Sequence, residues 1–165
     1  MTRSDRQARL AEAISLRETG RDEEARQALL ELNSEFPNDP MIKLHCARVH
    51  DKLGLEAEAV PFYEGALTGH LDRNDLRSAL LGLGSSYRAL GQYEKAVATL
   101  RRAVDDFPSD SALQTFLAMA LYNVGESKVA AQTLLRIVAE TSADPEVSKY
   151  REALGIYAED LDRVW

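Results

Sequence analysis

The sequence predicts an all-α chain, a helical-hairpin solenoid of four similar units and about eight helices, closed by a ninth helix. Three observations carry this. Gly20, Gly54, Gly91 and Gly125 are spaced by 34, 37 and 34 residues. Five residues after each stands an alanine: Ala25, Ala59, Ala96 and Ala130. No segment alternates apolar and polar residues with period two, and no Asn-Gly or Asp-Gly turn occurs, so strands have no signal. Glycine suits a hinge because it accepts the left-handed conformation that ends a helix. Alanine suits a point where two helices cross too closely for a larger side chain.

The remaining positions keep the same ruler. Four residues after each alanine come Leu29, Tyr63, Leu100 and Leu134, and three further on Leu32, Ala66, Ala103 and Ile137. These steps put one apolar stripe on each second helix. Seven residues before each hinge stands a small residue, Ala13, Ala47, Gly84 or Ala118, which lets each first helix approach its neighbour.

The first unit, about 6–39, is the least regular: Glu12 occupies the position of Leu83 and Leu117. An end repeat meets water on one side and departs from the pattern. In EFPNDP, Asp39 is placed to cap the next helix and Pro40 to be its first residue. The second unit, 40–73, carries Pro61 inside its second helix, which removes one backbone hydrogen bond and bends the helix unless it falls in the first turn. About three extra residues in TGHLDRND make a longer loop or an added turn. The third unit, 77–110, is the clearest, and the fourth, 111–144, drifts at its end. Residues 145–164 read as one further helix, with Val147, Tyr150, Leu154, Tyr157 and Leu161 as its stripe and Trp165 after it. Such a helix covers the exposed core of the last repeat. The whole, 1–165, reads as a single domain.

In the run Ser78 to Asp110, Gly84, Tyr87, Gly91, Ala96, Leu100, Ala103 and Pro108 stand at the spacings of the tetratricopeptide repeat, which this chain resembles over about 6–144. The insertion before the third unit, the run ALQTFLAMALYNVG and the closing Y-R-E-A-L-x-x-Y-A-E resemble small single-domain bacterial proteins of that family whose function is unassigned. The resemblance implies a right-handed solenoid with a C-terminal capping helix. It also implies that the first helices line a concave groove for a partner peptide.

Carried onto this chain, the groove positions are Leu10, Ile14, Arg17 and Glu18; Leu44, Arg48, Asp51 and Lys52; Leu81, Ser85, Arg88 and Ala89; Thr115, Met119, Tyr122 and Asn123. An apolar floor with a few cations suits a segment bearing apolar anchors and at least one carboxylate. The alternative is that the leucines pack and the arginines are solvated. Members that clamp chaperone C-termini use lysines and asparagines where this chain has Leu10, Ile14, His45, Ser78 and Gly82, so that clamp is not expected. The partner is therefore another protein or peptide segment, or a second copy in a homodimer built on the groove or on the Tyr150–Trp165 helix.

Other chemistries lack their residues. The net charge of −7 argues against sequence-independent nucleic-acid binding. No apolar run approaches the ~18 residues of a membrane span, and MTRSDRQARL is not a secretory signal. A single cysteine, Cys46, fits a reducing cytoplasm and is expected to be an inert buried thiol. His45 and His50 lie five apart, off the spacing that aligns two helical ligands, so no metal or other cofactor is expected. Carboxylates such as Glu23–Glu24 and Asp105–Asp106 sit at helix ends, with no pair isolated for acid–base work. Gly82 and Gly84 in GLGSS lie inside a helix and are read as packing residues. The chain is accordingly read as a non-enzymatic binding module.

Overall fold

The computed structural model describes residues 3–164, with side chains from residue 5 onward. Among these residues there are ten helices and no strand. They are α1 (Arg3–Glu18), α2 (Asp22–Glu35), α3 (Pro40–Lys52), α4 (Glu56–Leu67), α5 (Arg73–Ala89), α6 (Tyr93–Asp106), α7 (Ser111–Asn123), α8 (Ser127–Thr141), α9 (Pro145–Ser148) and α10 (Arg151–Glu159). The chain divides into two compact units, Met1–Gly91 and Gln92–Trp165.

All four hinge glycines take positive φ, between +72° and +85°, and among the described residues no other type does. In the first unit the turns close identically. Arg21 N–H donates to Leu16 O at 2.9 Å and Leu55 N–H to His50 O at 2.9 Å, while Gly20 and Gly54 reach back to Arg17 and Asp51. These bonds satisfy carbonyls that a helix end leaves open. First helices start on aspartate caps: Asp39 accepts from Met41 and Ile42 at 2.9 and 3.2 Å ahead of Pro40, and Asp72 accepts from Asp75 at 2.8 Å. The second helices follow their glycine turns without a side-chain cap.

In Met1–Gly91, α3 packs against α1, α2, α4 and α5. Ala13, Ala25, Leu29, Leu32, Ile42, Cys46 and Val49 form a fully buried cluster, flanked by Leu10, Leu16, Phe36 and Phe62. Each large side chain there contributes about 1.5–3 kcal/mol by leaving water. The expected alanine contacts are the tightest: Ala13, Ala25, Ala47 and Ala59 have no exposed surface. The insertion after α4 does both things expected of it, a loop from Thr68 to Leu71 and an α5 of 17 residues, about one turn longer than the 13-residue α3. Pro61 is the sixth residue of α4, past its first turn, so the Ala57 carbonyl loses its helical donor.

In Gln92–Trp165, α7 packs against α6 and α8, and α10 lies on α8. Ala96, Leu100, Ala103, Leu113, Ala118, Leu121 and Ala130 are buried. Leu134 departs from the repeat pattern. It is 39% exposed, as Val138 is at 43%, because α8 ends the file of helix pairs and α10 covers only part of it. The single C-terminal helix is also corrected. It breaks at Lys149–Tyr150 into α9 and α10 and stops at Glu159. Tyr150 and Leu161 leave the stripe for solvent, and Ala158 becomes the buried contact. Polar bonds hold this cap: Gln132 Nε2 donates to Ala158 O and Glu159 O at 3.2 and 2.7 Å, and Lys128 pairs with Asp160 and Asp162. Trp165 lies outside the described residues.

Candidate functional site

Within Met1–Gly91 the first helices α1, α3 and α5 carry twelve of the sixteen candidate groove residues. Leu10, Ile14 and Leu81 are partly exposed. Leu44 is not available: it has no exposed surface. As a residue of the middle helix, packed on four sides, it serves the core. Lys52 is committed to the fold, pairing with Asp22 at 2.8 Å and donating to Arg17 O at 3.0 Å across the end of α1. Arg48 pairs with Asp75 of α5 at 2.8 Å, both side chains about four-fifths covered. Arg88 is partly buried in the last turn of α5.

Arg17 differs from the others. Among the described residues its guanidinium makes no side-chain hydrogen bond or ion pair. Partial burial and the nearby Arg48 cation together lower its pKa, and Glu18 and Asp22 offset this in part. A half-buried cation beside a second cation is energetically unfavourable unless a negative group joins it.

His45, one turn before Arg48 on α3, is 6% exposed, and its Nδ1 has no hydrogen-bond partner. Burial first, then Arg48 and Arg17, push its pKa down to about 4, with Asp75 weakly opposing, so the ring is neutral at physiological pH. On the same helix Asp51 accepts from Tyr63 Oη at 3.1 Å, and the Ser86 hydroxyl has Gly82 O at 2.9 Å and Asp51 Oδ1 at 3.4 Å as alternative acceptors. Burial raises the Asp51 carboxyl and the Tyr63 phenol alike, and the shared bond partly holds the carboxyl down. Gly82 faces this network: a Cβ there would lie 2.3 Å from Tyr63 Cζ and Oη. Its lack of a side chain is a packing requirement.

His50 and Cys46 serve the fold. His50 Nδ1 lies 2.7 Å from Cys46 O, with its ring 5.2 Å from that of Phe62. The Cys46 thiol donates to Leu29 O at 3.4 Å, and burial pushes its pKa up to about 12. Among the described residues no group of three or more His, Cys, Asp or Glu is arranged to hold a metal.

In Gln92–Trp165, α7 carries the other four candidates. Thr115 donates to Ser111 O at 2.7 Å, Met119 and Asn123 are partly buried, and Tyr122 is 66% exposed. Two clefts lie elsewhere. Arg9, Glu12, Leu16, Ala28, Glu31 and Leu32 line one, and Glu94, Val97, Ala98, Arg101, Val124 and Glu126 the other; neither includes a candidate groove residue. Tyr63 and Ser86 are not among the residues that the repeat pattern singles out for binding, whereas His45 stands at a position that clamping members use. The small-residue segment of α5, Gly82 to Ser86, was the available signal.

Comparison with known proteins gives one family. A profile described as Tetratrico peptide repeat matches residues 40–161, and a second, Tetratricopeptide repeat, matches 7–39. Among curated proteins, human aspartyl/asparaginyl beta-hydroxylase is 27% identical over 145 residues, 83% of this chain but 19% of that protein. Superkiller protein 3 of Saccharomyces cerevisiae is 29% identical over 89 residues, 54% of this chain and 6% of that protein. The chain thus spans a fifth or less of these relatives. Among solved structures, a MamA RS-1 ArsTM double mutant superposes with a TM-score of 0.74 at 19% identity, over 92% of this chain and 80% of that one. YrrB, described as a TPR protein with an unusual peptide-binding site, gives 0.73 at 18% identity over 93% and 78%. These likenesses show the helical-repeat solenoid fold.

Proposed function

Because this chain belongs to the tetratricopeptide repeat family, we propose that it is a non-enzymatic adaptor that holds a segment of another protein on the first-helix face of α1, α3 and α5. The observation that carries the reading is the partly exposed trio Leu10, Ile14 and Leu81 on the first helices, together with an Arg17 whose guanidinium forms no ion pair. Apolar anchors and a cation are what a peptide with apolar side chains and an acid group engages. The peptide-binding site named for YrrB adds support by analogy. The reading places the protein in the cytoplasm, where a single buried thiol stays reduced. Among the described residues no helix is long and apolar enough to cross a membrane.

The test is affinity capture from the native host's lysate with three baits: wild type, Ile14→Glu/Leu81→Glu on the first-helix face, and Ala57→Glu on the exposed side of α4. Circular dichroism confirms that each bait is folded. A partner lost from the first variant and kept by the second supports the adaptor. The same partners on all three baits overturn it.

A second reading, self-association, is favoured by the exposed Leu134 and Val138 on α8 with Tyr150 beyond it. A solution mass that doubles with concentration, and reverts in Leu134→Lys/Val138→Lys, supports a homodimer. A constant monomer mass ends that reading.

A further inference from the structure

We propose that Arg17, Arg48 and His45 form an anion subsite on the first-helix face, built to seat one carboxylate of the partner segment. The inference rests on the binding face proposed above and names the chemistry recognised there. Charge balance comes first. Arg48 of α3 is ion-paired with Asp75 of α5, whereas Arg17 of α1 forms no ion pair, and Glu18 and Asp22 act on it only as nearby charges. Asp22 is ion-paired with Lys52, and Glu18 is exposed at the end of α1. A half-buried guanidinium without an ion pair matches a carboxylate, whose two oxygens fit its planar fork.

A second observation is independent of charge. His45 is more than nine-tenths buried, and its Nδ1 has no partner in the chain. A buried polar atom left bare is costly and marks a place for a group from outside. The groups facing His45 are Arg17 from α1, Arg48 from its own helix and Asp75 from α5, two cations against one anion. A bound carboxylate reverses that balance. It favours imidazolium, so seating the acid takes up a proton as pH falls below neutral.

The test is nuclear magnetic resonance of the full chain with labelled histidine and arginine side chains. Three probes are compared: N-acetylaspartate N-methylamide, with only a side-chain carboxylate; N-acetylalanine, with only a terminal one; and N-acetylasparagine N-methylamide, with neither. The expected result is that at least one acid shifts the Arg17 and Arg48 Nε–H signals and raises the His45 titration midpoint by about one unit or more. The neutral amide leaves both unchanged. The acid that acts identifies side chain or chain terminus as the source. Arg17→Met, which removes no ion pair, loses the response, and Arg136→Met on exposed α8 retains it. Acids that act no differently from the amide, or an Arg17→Met that responds like wild type, overturn the subsite. N-acetylleucine N-methylamide reports separately on the Leu10, Ile14 and Leu81 methyl groups. A methyl response without an acid response removes the subsite and leaves the binding face, whereas silence to every probe removes both.

Discussion

Replacing Gly82 with alanine places a methyl group 2.3 Å from both Cζ and Oη of Tyr63, where ordinary carbon contacts need about 3.5 Å. The tyrosine cannot yield cheaply. Its ring is buried, and its hydroxyl is held by Asp51 at 3.1 Å. Overpacking of this kind costs roughly 1–3 kcal/mol, and the rigidity of the site puts Gly82→Ala near the top of that range. Against it stands a gain of about 1 kcal/mol from replacing a mid-helix glycine by alanine. The expected net loss is about 2 kcal/mol. In a Tyr63→Leu background the obstacle is gone, and the same substitution should stabilise by about 1 kcal/mol. The coupling between the two sites is then roughly 3 kcal/mol, at the high end for contacting residues. Urea unfolding of the four proteins, followed by far-ultraviolet circular dichroism, measures it. If Gly82→Ala is harmless in the native background, or just as damaging in the Tyr63→Leu background, the close approach of α4 and α5 is wrong.

Two further outcomes follow from the buried groups. Cys46, with its thiol pushed up to about 12, should resist iodoacetamide in the folded protein at pH 8 and react once urea unfolds it; intact mass reports either result. His45 has its folded pKa lowered from 6.5 to about 4, so the unfolded chain binds a proton that the folded chain refuses. Its contribution to stability is therefore complete above about pH 6.5 and is lost as pH falls toward 4, by roughly 3 kcal/mol. Asp51, with its raised carboxyl, runs the other way, so the comparison is made against His45→Phe, whose urea midpoints should fall less steeply between pH 7 and 4. Equal slopes would contradict the assignment.

Much of the fold was legible because backbone geometry restricts residue choice. Only glycine takes the four positive-φ hinges comfortably, and Asp39 with Pro40 can be read as a helix start from their chemistry alone. The alanine contacts were legible for a similar reason, since close crossings exclude larger side chains. Leu134 shows where the pattern stops informing: its sequence position equals that of the buried Leu29 and Leu100, but its exposure depends on what lies beyond α8. The break at Lys149–Tyr150 carries no glycine or proline. It is held by tertiary bonds, with Arg151 donating to Ser142 O at 3.3 Å. For the candidate site, the arginines were visible as first-helix residues. His45 was visible as well, at a position that clamping members use, but its burial was not: it arises where α3 meets α1 and α5, and no local spacing encodes that.

Whether partners engage the first-helix face is tested most directly by site-specific photocrosslinking in the native host, with p-benzoylphenylalanine placed in turn at Ile14, Leu81 and Ala57. An adduct to another protein is expected from Ile14 and Leu81 and none from Ala57. Adducts from Ala57 alone, equal adducts from all three, or an adduct at twice the chain's own mass would contradict the proposed binding face, the last in favour of self-association.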